Sequence, residues 1–470
     1  MKKFNLTQAI ALSKALVKGD LSSFIQKSFS TVNPGTKYLH NWHIDLIADA
    51  LIKCEKGDIK RLIINIPPRY LKSLSVNVAW PCWLLGQDPS RRIISASYSQ
   101  GLATKHSLDS RLIINSNWYN KYFPNTQLVK DQNEKDKFIT TKRGFRLATS
   151  VGGTLTGEGG NFLIIDDPHN PANIMSKTQR ENVLNWYEQV FASRLDDKNN
   201  GIIVLIMQRL HPDDLSSHLT KKQKGVWNEL IIPAIASKDL VYYDKYLFPQ
   251  DTSLHPIREN KKQLEKTKIE LGSFNFSAQY LQKPLSEDNG MVKYSWFSRY
   301  RYLPKKLKNI TQSWDTGIKS SANNDYSVCT TWGEDDNKYY LIDVKKFKAE
   351  YPELKRKLLS HCEKYKPETI IIEDKASGQS LIQELKSETK LPVIAVNPIN
   401  DKVTRFARVS TLIEAGKVSL PEQSDWLASF EEEILAFPNV THDDQVDSLS
   451  QYLNRVKTES MFKPTMRRLL

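Results

Sequence analysis

Two groups of residues in this chain have the types and spacing for phosphate chemistry. The first starts at NIPPRYLKSLS (65–75), just after the apolar run RLII. A phosphate loop aims backbone N–H groups at anionic oxygens where a helix begins. Lys72 would neutralise phosphate charge, Ser73 would hold Mg2+, and Arg69 would add a second cation. Neither glycine of G-x-x-x-x-G-K-[ST] is present, because Ile66 and Leu71 stand in those places. Pro67 and Pro68 have no N–H, so the cradle must come from Arg69 through Ser73. A left-handed backbone at Leu71 would cost about 1–2 kcal/mol, so the loop either bends differently or carries strain. The ordinary alternative is a proline-broken turn leading into a helix with an exposed lysine. Two later segments share the chemistry. NFLIIDDPHN is an apolar strand ending in two acids. Asp166 would be the metal carboxylate and Asp167 the base that polarises water. The alternative there is a cap or turn aspartate. GIIVLIMQRLHPDDL ends its strand in Gln208 and Arg209, polar groups suited to sensing a γ-phosphate.

The second group is acidic. QSWDTG sets Asp315 on a strand, and IIIEDKASG sets Glu373 at the tip of another. THDDQVDSLSQYL places Asp443, Asp444 and Asp447 in the first turns of a final helix. Asp443/Asp447 and Asp444/Asp447 are i,i+4 and i,i+3 pairs that share a face. Stacked like charges call for a cation, although part of the group would also favour the helix N-terminal dipole. Two strand acids and a helix acid make up a two-metal nuclease site, whose ions lie about 3.5–4 Å apart and clamp the attacking and leaving oxygens. Carboxylate oxygens suit Mg2+ or Mn2+ rather than zinc. Lys402, Arg405 and Arg408 recur on one helical side of NDKVTRFARVSTL. They would grip phosphates or form a solvated basic face.

Both groups need scaffolds. With 470 residues the chain is long enough for two to three domains. Its 40% hydrophobic and 26% charged content is that of a soluble globular protein. The net charge of +14 favours a polyanionic partner, nucleic acid first. The longest apolar runs, such as IIVLIM, are too short to span a bilayer. The N-terminus is interrupted by Thr7, Gln8, Ser13 and Lys14, and reads as an amphipathic helix rather than a signal peptide. Cys54, Cys82, Cys329 and Cys362 form no C-x-x-C pair. That argues for a reduced cytosolic setting and against a zinc site or disulfide framework.

Residues 1–58 read as a helical segment. Over 59–235, β-branched runs at 61–66, 91–98, 145–150, 161–166, 201–207 and 228–235 alternate with helical patterns. This is an α/β pattern with a mostly parallel sheet covered on both faces. Ligands of such sheets sit at the carboxyl ends of strands, where all three motifs of the first group fall. Residues 236–305 read as a connector or lid. Over 306–455 a three-stranded meander, a helix at 351–366, the strand ETIIIED, the run LPVIAVNP and a last helix near 442–455 follow a ribonuclease-H-like α/β order. Residues 456–470 read as a basic tail.

Over roughly 35–455 the chain resembles the large terminase subunit of tailed bacteriophages and prophages. The likeness rests on RLIINIPPRYLKSLSVNVAWPCWLLGQDPSRRIISASYS, LATSVGGTLTGEGGNFLIIDDP, SRLDDKNNGIIVLIMQRLHPDDL, LGSFNFSAQYLQKP, QSWDTG and HDDQVDSLS. The family's loop is typically P-P-R-x-x-K-[ST], often with His-Gly where Tyr70-Leu71 stand. It commonly lacks the first glycine, so Ile66 is no departure, whereas Leu71 is. The resemblance implies an N-terminal P-loop (RecA/ASCE-like) ATPase and a C-terminal ribonuclease-H-like nuclease. The implied function is an ATP-driven motor that moves double-stranded DNA into a procapsid, and an endonuclease that cuts concatemeric DNA. Carried over, it puts ATP and Mg2+ on Arg69, Lys72, Ser73 and Asp166, with Asp167 as the catalytic acid. Gln208 and Arg209 would couple hydrolysis to domain motion. Asp315, Glu373, Asp443, Asp444 and Asp447 would hold two Mg2+ or Mn2+, which of the last three bind directly being left open. An arginine expected near Glu158 is absent, leaving the transition-state arginine to Arg143, Arg146 or a neighbouring subunit. Tyr38 or His43 would stack on adenine, or else be packed aromatics. The implied partners are double-stranded DNA, the portal protein and the small terminase subunit, in the host cytoplasm and without a membrane. A pentameric ring is implied during packaging, a monomer in solution being compatible. Two rival readings use the same residues: a helicase-like translocase without nuclease activity, and an inactive prophage relic with a docking role. The intact acid sets argue against decay.

Overall fold

The computed structural model describes residues 6–155, 157–284, 290–316, 326–375, 377–440 and 442–462. The chain divides into two compact units: 1–268 with 274–285, and 269–273 with 286–470.

The N-terminal unit is built on eight strands: β1 (Arg61–Asn65), β2 (Arg92–Ser97), β3 (Leu128–Asn133), β4 (Lys137–Thr140), β5 (Phe145–Ser150), β6 (Phe162–Asp166), β7 (Ile202–Met207) and β8 (Asn228–Ile231). Their order is β3-β4-β5-β2-β6-β7-β1-β8. All pairs are parallel except β3–β4 and β4–β5. Alternate side chains feed two cores. Leu62, Ile64, Ile93, Ile164 and Val204 enter one, and Ile63, Ile94, Leu163, Ile165 and Leu205 the other. A sheet buried on both faces needs this continuous apolar character, which explains the runs read from the sequence. The expected run 228–235 is a strand only to Ile231, since Pro233 offers no ladder N–H. Residues 236–305 hold a hairpin of β9 (Leu240–Tyr242) and β10 (Tyr246–Phe248), and a helix over Lys261–Gln279 with a non-helical Gly272. They also include β11 (Ser298–Tyr300).

The C-terminal sheet adds β12 (Lys308–Asp315), β13 (Ser327–Asp335), β14 (Lys338–Phe347), β15 (Thr369–Glu373), β16 (Val393–Val396) and β17 (Val418–Pro421). The order is β11-β17-β14-β13-β12-β15-β16. The β12–β13–β14 meander is antiparallel, and β15 joins β12 in parallel. The last helix, Asp444–Phe462, runs beyond the expected end near 455 into the segment read as tail, and 463–470 lie outside the described residues. It docks on β12 through small hydroxyls: Ser448 Oγ donates to Ser313 O at 2.8 Å, and Ser313 Oγ donates to Ser448 O at 2.8 Å. Trp332 stacks on Tyr452 at 4.6 Å, locking the same helix to β13. Among the described residues no helix is long and apolar enough to cross a membrane.

All four cysteines are buried with free thiols. Burial pushes the thiols of Cys54, Cys82 and Cys362 up to about 12, and that of Cys329 well above its usual value.

Among the buried imidazoles of the N-terminal unit, His43, His106 and His169 are held furthest down. Burial lowers them to about 3, 4 and 4. An unfolded imidazole takes up its proton near pH 6.5, while these stay neutral when folded. Their stabilisation is therefore present above about pH 6.5 and is lost as the pH falls towards 4. Between pH 7 and pH 5 each is expected to remove about 2 kcal/mol, read as a falling urea midpoint. His43→Gln should remove one share of that slope; an unchanged slope would show that His43 titrates normally.

Candidate functional site

The loop after β1 is strained where the sequence suggested a choice between bending and strain. Arg69 stands at φ 70° and Leu71 at φ 61°, both left-handed. Tyr70 between them is fully buried and its hydroxyl donates to Glu259 Oε2 at 2.9 Å. His43 Nε2 lies 3.3 Å from Tyr70 O, so this candidate for adenine stacking is committed beneath the loop. Tyr38 packs on Phe29 with ring centroids 5.3 Å apart. Arg69 is exposed. Leu71 packs against the unit's core, so its side chain offsets part of its backbone strain. Leu71→Gly relieves about 1–2 kcal/mol of strain and loses a similar amount of burial. It is expected to leave stability within about 1 kcal/mol and ATP turnover equal or higher. Leu71→Val keeps an apolar group but puts a β-branched residue at a left-handed φ, so its thermal unfolding should show a loss of about 2 kcal/mol.

Past the loop the helix opens as a π-turn, Leu74–Ala79, before the α-helix Trp80–Gln87. Such turns often mark functional sites. Lys72 Nζ pairs with Asp167 Oδ2 at 2.8 Å and donates to Gln208 Oε1 at 3.2 Å. Ser73 Oγ donates to Asp166 Oδ1 at 3.0 Å. Asp167 follows β6 at φ 46° and accepts from the Gln208 N–H at 3.3 Å. The loop, the β6 tip and the β7 tip thus meet at one sheet edge. Burial raises both acids, and Lys72 is the largest influence holding them down. Arg209 is directed elsewhere: its Nε donates to Asp214 Oδ2 at 2.9 Å, and its N–H to Gln282 Oε1 at 2.9 Å.

Sequence reasoning missed Asn77 and His106 behind Asp166, and offered Arg146 as a transition-state arginine, whereas its guanidinium is buried against Asn77. Asn77 Nδ2 donates to Asp166 Oδ2 at 3.0 Å and lies 2.9 Å from His106 Nδ1. Arg146, fully buried, donates through Nη2 to Asn77 Oδ1 at 3.0 Å and Asn77 O at 3.1 Å. This arginine orients the acid's neighbour and does not face solvent. A polar residue inside the apolar stretch LSVNVAW was the available signal for Asn77.

In the C-terminal unit Asp315 ends β12, Glu373 ends β15, and Asp444 and Asp447 lie in the first turn of the last helix. Burial and the facing acids Asp447, Glu373 and Asp444 push the Asp315 carboxyl well up. That influence brings four of the five expected acids into one group. Asp444 is raised to about 6, by burial and then by Glu433. Cations offset the rest: Lys402 Nζ lies 2.5 Å from Asp443 Oδ1 and 2.8 Å from Asp447 Oδ2, Arg405 binds Asp447 Oδ1, and Lys375 lies 2.9 Å from Glu373 Oε1. Arg408, on the same helix, is exposed and donates to Thr458 Oγ1 at 3.3 Å. Glu433 was not foreseen. Its Oε1 accepts from the Gln445 N–H at 2.6 Å and caps the acid-bearing helix, while Lys346 neutralises it at 2.8 Å. Among the described residues no three His, Cys, Asp or Glu side chains are close enough to hold an ion as they stand. The donor set, all carboxylate and turned inward on itself, nevertheless fits a hard divalent cation.

Residues 312–455 match the family model described as the terminase RNaseH-like domain. This segment is similar to that domain. Two solved whole-chain structures are similar to the full chain. The large terminase from a thermophilic bacteriophage, in complex with ATP-γ-S, is 12% identical, with 86% of this chain and 98% of that one covered and a TM-score of 0.51. The HK97 bacteriophage large terminase is 12% identical over 93% and 99%, with a TM-score of 0.39. The large terminase nuclease from thermophilic phage G20c, with bound zinc, is 17% identical over 34% and 95%, with a TM-score of 0.28. No curated protein matches by sequence. The likeness to the ATP-γ-S-bound terminase shows that the chain has the large-terminase fold, with the matched C-terminal segment following a mostly parallel α/β unit, as the resemblance implied.

Proposed function

We propose that this chain works as a large terminase subunit, a motor that moves double-stranded DNA into a procapsid by ATP hydrolysis and an endonuclease that cuts it. The observation that carries the reading is the meeting of Lys72 and Ser73 with Asp166 and Asp167 at one sheet edge, in a chain whose C-terminal segment matches the terminase RNaseH-like domain. Backbone N–H groups from Arg69 to Ser73 would receive the phosphates, with the Arg69 side chain beside them. Lys72 would leave Asp167 for phosphate oxygens, freeing Asp167 to polarise the attacking water. Ser73 and Asp166 would hold Mg2+, which neutralises phosphate charge when bound. Gln208 reports the position of Lys72. Arg209 links that strand end to Gln282, near the point where the chain leaves the N-terminal unit, which suits a coupling role.

Asp315, Glu373, Asp443, Asp444 and Asp447 would hold two Mg2+ or Mn2+ ions, which activate water and steady the leaving oxygen when bound. Arg408 and the neighbouring basic residues would contact DNA phosphates. The portal protein, the small terminase subunit and a ring of five copies in the host cytoplasm complete this reading, with a monomer in solution compatible. The test is paired: ATP turnover in Lys72→Ala and Mn2+-dependent DNA cleavage in Asp315→Asn, each in the full chain.

A further inference from the structure

On the nuclease reading above, the acids of the C-terminal unit share a counter-cation that belongs to the chain itself. Lys402 opens the helix Lys402–Glu414, whose start is capped by Asp401: the Thr404 N–H donates to Asp401 Oδ1 at 3.0 Å. Its ammonium bridges Asp443 and Asp447, while Arg405, one turn on, takes the other oxygen of Asp447. Both oxygens of Asp447 are therefore occupied by cations of a single helix. The ammonium and the guanidinium thus occupy carboxylate oxygens that a divalent ion would need.

We propose that Lys402 is a positioning residue that stands in the place of a metal ion, holding Asp443 and Asp447 until a divalent cation displaces it. The exchange is one cation for another at the same carboxylates, so the lysine and the metal compete. A cavity of about 510 Å3, lined by Glu373, Asp447, Arg405, Arg408, Asn454 and Arg455, leaves an ion room to approach Asp447 and Glu373. A purely structural ion pair would behave differently. Removing it would loosen the helix Asp444–Phe462 and weaken metal binding.

The test is Mn2+ binding to the full chain without nucleic acid, followed by the EPR signal of the free ion. Lys402→Met is expected to bind Mn2+ about tenfold more tightly than the wild type, and Lys402→Arg, which keeps the charge, within about twofold of it. Lys402→Gln serves as a second neutral replacement. A misfolded variant loses sites, so a gain in affinity cannot come from unfolding. Asp315→Asn marks the site by abolishing the share of Mn2+ binding that belongs to it, any ion held by Ser73 and Asp166 being unaffected. If Asp315→Asn abolishes that share but Lys402→Met and Lys402→Gln bind no tighter than the wild type, the competition is wrong and the nuclease reading stands. If no Mn2+ binding depends on Asp315, the nuclease reading falls, and this inference falls with it.

Discussion

Replacing Lys72 by alanine is expected to lower ATP turnover by about a thousandfold and to destabilise the nucleotide-free protein by about 3 kcal/mol. The first figure is what a preorganised charge at a transferring phosphoryl group supplies. The second is that of a broken buried ion pair, since the ammonium is held against Asp167 at 2.8 Å with both partners largely out of solvent. Lys72 is also the largest influence keeping both aspartates down, so its loss raises them further. An acid raised in the folded state contributes stability at low pH and loses it as the pH rises through its folded value. The deficit of Lys72→Ala should therefore be small near pH 4 and grow towards neutrality. Steady-state ATP turnover and urea unfolding at two pH values measure the two effects. A folded variant that retains more than about a tenth of wild-type turnover would show that hydrolysis happens elsewhere.

Asp315→Asn is expected to abolish metal-dependent DNA cleavage, by at least about a thousandfold, while raising stability in the absence of metal by about 1 kcal/mol. The two signs are opposite for one reason. Asp315 faces Asp447, Glu373 and Asp444, and Lys402 offsets that repulsion only in part, whereas Lys402 and Arg405 pair directly with Asp447. An amide of the same shape removes that repulsion, together with the metal donor. Mn2+ should raise the unfolding temperature of the wild type and leave the variant unmoved. ATP turnover should be unchanged in the same preparation, because Asp315 belongs to the other compact unit. Cleavage that survives in the variant would favour a domain that binds DNA without cutting it there.

The catalytic candidates were legible because they stand where strands end. An apolar run followed by two acids announces both the strand and its tip, and β6 ends at Asp166 as read. The meander and the last helix followed from period and composition in the same way. The antiparallel strands β3 and β4 were missed. LVKDQN is largely polar, as a strand at the sheet's edge can be, and KFIT beside it is only four residues long. Residues that act through others were harder to see. Asn77 and Arg146 meet across 69 positions of chain, and Glu433 caps the last helix through Gln445, 12 residues further on. Local periodicity carries no trace of such contacts. Leu71 is the reverse case: its strain was foreseen from residue type, but the packing that sustains it was not.

The burial of all four thiols has a practical consequence. With Cys54, Cys82 and Cys362 pushed up to about 12 and shielded from solvent, maleimide reagents at neutral pH should leave the native chain almost unlabelled. A single cysteine introduced on an exposed face would then carry a dye with little background. The chain is in effect already prepared for fluorescence measurements of its two units, with no native cysteine needing to be removed first.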